Sequence, residues 1–164
     1  MTKEMIFGHH ARKEPLHYRE CGLDDVYLFS GYDFVPAGDG THDLVVQDID
    51  GLHRAIAECL VTERKMLTGK EFAFLRRHLG LTQPELAMEL GATVQTIYRW
   101  ESEQSRIPGP ADTLLRFVYL ARTRPDIVAD AARVIVRHLR EMERPRTGKL
   151  VFRDTKRGWL PMAA

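Results

Sequence analysis

Two capped helical segments, separated by about three residues, constrain this chain of 164 residues more than any other feature. The first opens at Leu81-Thr82-Gln83-Pro84-Glu85. Thr82 and Glu85 have the spacing at which each side chain satisfies the other's backbone N–H, so Thr82 is expected to start a helix. Pro84 fits the first turn, where a missing N–H loses no intrahelical bond. Leu86, Ala87 and Leu90 give this helix a buried face, with Ala87 small enough for a second helix to cross closely. Gly91 signals its end, and Thr93 can cap the next helix, Val94-Gln95-Thr96-Ile97-Tyr98-Arg99-Trp100-Glu101. Ile97 and Trp100, three apart, should face the core. Gln95, Thr96, Tyr98 and Arg99 then face outward.

The flanks fit the same reading. Phe72, Phe74, Leu75 and Leu79 recur at helical spacing and stop at Gly80. Pro108-Gly109-Pro110 leads into a further helix with Leu114, Leu115, Val118 and Tyr119. Two helices joined by a short turn containing glycine form a helix-turn-helix, whose second helix enters the major groove of DNA. An outward face with an amide and a guanidinium suits that task, since Gln pairs with adenine and Arg with guanine. Glu101 is expected to be structural, holding the helix end or a nearby arginine. Arg76, Arg77 and Arg106 are open between phosphate binding and simple solvation, and Arg106 lies in the loop after the reading helix.

The run Leu81-Thr82-Gln83-x-Glu85-Leu86-Ala87, then Leu90-Gly91, Thr96-Ile97-x-Arg99-Trp100-Glu101 and Pro108, resembles the Cro/XRE, phage-repressor-like family. The resemblance implies that Gln83 anchors a backbone phosphate and that Val94, Gln95, Thr96 and Arg99 face the major groove. Together with Thr82, Thr93, Tyr98 and Arg106, these are the candidate DNA-binding residues. Within that family, the order Gly51-Leu52-His53-Arg54-Ala55-Ile56, Leu67-Thr68-Gly69 and Phe74-Leu75-Arg76 is similar to MqsA-type antitoxin regulators. That resemblance implies operator reading by Gln95 and Arg99. The paired CxxC motifs that hold zinc in that group are missing here, with Cys21-Gly22 the one remnant, so no zinc site carries over.

The rest of the chain suggests an α+β protein. Residues 1–50 are expected to form a small β-rich domain: Val26-Tyr27-Leu28-Phe29 and Tyr32-Asp33-Phe34-Val35 read as strands around the turn Ser30-Gly31, with Leu44-Val45-Val46 a third. Residues 51–67 read as a linking helix with Leu52, Ile56, Cys59 and Leu60 on one face and Asp50 as its cap. Residues 68–124 form the helix-turn-helix domain, and 125–164 a C-terminal helix and basic tail. In that last part Val128, Ile135, Leu139 and Met142 make an apolar stripe. It packs either on its own domain or on a second copy. Trp159-Leu160 could dock on the body or on a partner. Residues 1–63 hold 5 Lys/Arg against 12 Asp/Glu, residues 64–124 hold 10 against 6, and residues 125–164 hold 9 against 5. An acidic front joined to a basic back suits parts with different partners.

Several classes of function find no signal. No apolar run reaches the roughly 20 residues that span a bilayer. The start, Met1-Thr2-Lys3-Glu4, lacks a secretory h-region, so a cytoplasmic protein with free thiols at Cys21 and Cys59 is expected. His9, His10, His17 and Cys21 do not have zinc-ligand spacing, and His78 and His138 read as helix-surface residues. No nucleophile elbow, P-loop or zincin motif is present. The chain is therefore expected to be no enzyme, to need no cofactor, and to bind double-stranded DNA as a homodimeric repressor on a palindromic operator. The rival reading is an antitoxin that neutralises a toxin partner and autoregulates its operon.

Overall fold

The structure, a computed structural model, describes residues 14–38, 40–124, 150–156 and 158–162. Four strands come first: β1 Leu16–His17, β2 Val26–Leu28, β3 Tyr32–Pro36 and β4 His42–Val46. Five helices follow: α1 Ile49–Thr62, α2 Gly69–His78, α3 Gln83–Leu90, α4 Val94–Glu101 and α5 Gly109–Thr123. Strands β5 Leu150–Thr155 and β6 Gly158–Met162 close the chain. The fold is α+β, as the sequence suggests.

The strands do not form one N-terminal sheet. β3 and β4 pair as a hairpin of their own, whereas β1 and β2 join β5 and β6 in a sheet of order β1-β2-β5-β6. β2 runs parallel to β5, with Val26 opposite Leu150 and Leu28 opposite Phe152. The helical unit is thus an excursion between two strands of one sheet. The expected tail from residue 150 onward is two strands instead. Phe152 is buried while Arg153 is exposed, and Trp159 is buried while Leu160 is exposed. This period-two alternation covers a core with one face and meets water with the other. Trp159 docks on the body: β6 packs on α1, and the Trp159 indole N–H donates to the Asp48 carbonyl at 3.1 Å. The apolar stripe from Val128 to Met142, with His138, lies outside the described residues, as do His9 and His10.

α1 buries Leu52, Ile56, Cys59 and Leu60, the face its spacing implies. Its cap is Asp48, whose carboxylate accepts from the Gly51 N–H, in place of Asp50. The helix starts two residues before the expected point because Asp48 stands three before an N–H that needs an acceptor. Where α1 ends, the buried Arg116 guanidinium of α5 donates to the carbonyls of Leu60 and Val61 at 2.5 and 2.8 Å. The last carbonyls of a helix have no intrahelical partner, so this cation satisfies two orphans. Asp112 holds Arg116 at 2.5 Å and also accepts the Leu67 N–H at 2.6 Å. One buried ion pair therefore fixes α5 against the junction between α1 and α2. Among the described residues, no helix is long and apolar enough to cross a membrane.

Candidate nucleic-acid interface

Three helices build the interface, and the sequence sets each of their starts. Thr68 and Glu71 form a reciprocal cap that opens α2, and Thr82 and Glu85 do the same for α3. The Thr82 backbone N–H, then its hydroxyl, hold the Glu85 carboxyl below the usual carboxylate range. Gly91 ends α3 in the left-handed conformation, φ 62°, where a side chain would be strained. Thr93 then caps α4 by accepting from the Thr96 N–H at 3.1 Å.

α4 is pinned by two residues. Ile97 is fully buried, and Trp100 lies edge-on to Phe72 of α2, ring centroids 5.8 Å apart. Full burial of a side chain of this size stabilises by about 1.5–3 kcal/mol, enough to fix which way a two-turn helix faces. α2 can come this close because residue 69 is glycine: a Cβ there would sit 2.3 Å from the Trp100 carbonyl oxygen.

With those two inside, Val94, Gln95, Tyr98 and Arg99 are exposed on the outer face of α4. Thr96 is half-buried, and its hydroxyl is 2.8 Å from that of Thr93. This pairing commits one hydrogen bond of each hydroxyl to the helix start. Thr82 is exposed, with its hydroxyl given to Glu85 at 2.7 Å. Arg106 is exposed in the loop after α4, which Ile107 anchors by burial. The candidates on α4 and at its cap thus share one surface, while Thr82 and Gln83 lie at the start of α3.

Glu101 ties the three helices together. Its carboxylate accepts two bonds from Arg76 of α2, at 2.6 and 2.9 Å, and one from the Gln83 amide at 2.8 Å. Arg76 also donates to the Leu81 carbonyl at 2.8 Å. The expectation that Glu101 holds a nearby arginine is met. Of the two open readings of Arg76, neither applies, because its guanidinium is consumed by this clamp. Gln83 keeps a second amide hydrogen, and as the first residue of α3 its backbone N–H has no intrahelical acceptor. Both donors suit an oxyanion.

Two features escape the sequence reading. His78 is half-buried, not simply a helix-surface residue: it stacks between Phe74 and Tyr119. Lys70 and Ser102, unlike Arg77 not singled out in the sequence, join Arg77, Tyr98 and Gln83 around a groove of about 310 Å³ beside α4. The signal for it was the spacing of Lys70, Ala73 and Arg77 along one face of α2. Among the described residues, no group of three or more His, Cys, Asp or Glu converges as a metal site requires.

Residues 65–112 match the model of the helix-turn-helix family. The matched segment, less than a third of the chain, is similar to the Cro/C1-type helix-turn-helix of the XRE family. No curated protein and no solved structure matches the chain. The match does not single out the MqsA-type group within the family. A helix-turn-helix of this type implies binding to double-stranded DNA and supports a regulator of transcription.

Proposed function

We propose that the protein is a sequence-specific repressor that acts by occupying a palindromic operator as a homodimer, without catalysis. The observation that carries this reading is the outer face of α4, where Gln95, Tyr98 and Arg99 stand exposed while Ile97 and Trp100 are buried. Gln95 and Arg99 supply base-edge recognition of adenine and guanine, Val94 supplies an apolar contact for a thymine methyl, and Tyr98 and Thr96 add hydroxyls. Gln83, Thr93 and Arg106 fix the register through backbone phosphates, while Thr82, whose N–H and hydroxyl both donate to Glu85, holds the start of α3 that presents Gln83. Two copies would place two such helices in successive major grooves, roughly 34 Å apart, and so select a palindrome.

The test is selection of duplexes by the full chain from a random library, followed by titration of the selected duplex and a scrambled one at fixed salt. Arg99→Ala should lose about 1–3 kcal/mol on the selected duplex and much of its preference over the scrambled one. Unchanged affinities for both duplexes would remove α4 from sequence reading. Sedimentation with and without the duplex reads the dimer.

A second reading is an antitoxin that neutralises a partner. It draws on the acidic first 63 residues, 12 Asp/Glu against 5 Lys/Arg, which favour a basic protein partner. A tightly co-purifying basic protein from the native host would support it.

A further inference from the structure

The turn over residues 19–24 brings the N-terminal part against the helix-turn-helix. Gly22 of that turn lines the groove beside α4, together with Lys70, Ala73 and Arg77 of α2 and Tyr98 and Ser102 of α4. Gly22 has φ +81°, and a Cβ on it would stand 3.4 Å from Nη2 of Arg77. The Arg77 guanidinium therefore lies over the turn. Arg77 itself is exposed, and its Nε donates to the Ala73 carbonyl of its own helix at 3.2 Å. Asp24 of the same turn holds Lys70 at 2.6 Å, with the Asp24 side chain largely in water and that of Lys70 about half so.

We propose that this turn and the outer face of α2 extend the DNA site along the backbone, with Arg77 taking a phosphate and Asp24 holding Lys70 back from one. The inference rests on the DNA-binding reading of α4 and adds to it a role for the N-terminal part.

Three observations carry it. Tyr98 belongs both to the outer face of α4 and to the groove wall, so DNA seated on α4 lies beside the groove. Gln83, whose donors suit a phosphate, lines the same groove. The cations here differ in their freedom: Arg76 is consumed by Glu101, Lys70 is held by Asp24, and Arg77 donates only weakly to its own helix. An exposed guanidinium next to a backbone track binds phosphate and releases counterions, which gives affinity without base preference. Asp24 is an anion at the same surface, so it opposes a phosphate and neutralises the nearest ammonium.

The experiment measures affinity of the full chain for a duplex it has selected from a random library, over a series of KCl concentrations. Arg77→Ala should weaken binding about threefold to tenfold and reduce the salt slope by about 1, equally for selected and scrambled duplexes. Arg77→Lys should keep most of the slope. Asp24→Asn should act in the opposite sense, tightening binding about twofold to fivefold and steepening the slope, because Lys70 becomes available. Lys70→Ala should abolish the gain from Asp24→Asn. If Arg77→Ala leaves the slope unchanged, or Asp24→Asn fails to tighten binding in a folded protein, the flank makes no contact and the inference is overturned. Arg99→Ala separates the two failures: it tests base reading on α4 and should leave the salt slope nearly intact.

Discussion

Arg76 of α2 grips Glu101, the last residue of α4, through two parallel bonds: Nε to Oε1 at 2.6 Å and Nη2 to Oε2 at 2.9 Å. Both side chains are mostly buried, 13% and 9% exposed. Removing one partner of such a pair leaves the other charge without compensation. Glu101→Ala should therefore destabilise the protein by an amount near the lower end of about 3–5 kcal/mol. It also frees Gln83 and loosens α4, so DNA affinity should fall with stability. Glu101→Gln retains one acceptor and should cost less. Urea unfolding midpoints of the two variants check the order.

The pair Asp112–Arg116 gives a second prediction with a different signature. Arg116→Met strands the Asp112 carboxylate and two carbonyls of α1, and should cost about 3–5 kcal/mol. Adding Asp112→Leu removes the stranded charge, although the Leu67 N–H then loses its acceptor. The double variant should thus be more stable than Arg116→Met alone. Equal or additive losses in urea unfolding would show that the two residues act independently.

What the sequence made legible was local. Thr82, Glu85, Gly91 and Thr93 are capping residues whose partners lie within a few positions, so spacing alone places α3 and α4. Ile97 and Trp100 follow from helix period in the same way. The closing strands were not legible, because nothing near Phe152 or Trp159 names a partner that lies about 124 residues away, as Ser30 and Asp154 do. Basic residues on their solvent face made the stretch read as a tail. Arg76 was ambiguous for a related reason: an arginine looks the same in sequence whether it meets Glu101 or a phosphate. The half-burial of His78 likewise required Tyr119 of α5, 41 positions on, to be packed against it.

The sheet that closes this way has a checkable keystone. Gly31 has φ +82°, and a Cβ there would lie 2.5 Å from the Trp159 ring. Gly31→Ala is therefore strained in its backbone and displaces the indole, and should destabilise by about 1–3 kcal/mol. With the indole displaced, its bond to the Asp48 carbonyl breaks and the ring meets water. The chain has two tryptophans, so the reading is made in a Trp100→Phe background. A red shift of the remaining emission is the expected outcome, and an unshifted spectrum at unchanged stability would place Trp159 elsewhere.

His53 and His78 predict how the fold responds to acid. Both line a cavity of about 360 Å³ with Glu20, Cys21, Phe74 and Arg77. Burial lowers the pKa of each ring below the ordinary histidine value; Asp50 opposes this at His53, and at His78 the charges of His53 and Arg54 reinforce it against Asp50 and Glu58. The folded state thus favours neutral rings. As pH falls through about 6.5, the unfolded chain takes up these protons before the folded one does. The stability that these rings carry is complete above that point and is lost as pH drops toward the lowered folded values. The urea midpoint should therefore decline between about pH 7.5 and about pH 5.5. His53→Phe with His78→Phe keeps an aromatic ring edge-on to Phe74 at 53 and stacked between Phe74 and Tyr119 at 78, gives up the 3.3 Å bond between Tyr18 and His53, and removes the titration, so the decline over this window should flatten. A double variant that loses stability with acid as steeply as the parent would assign the response to other groups.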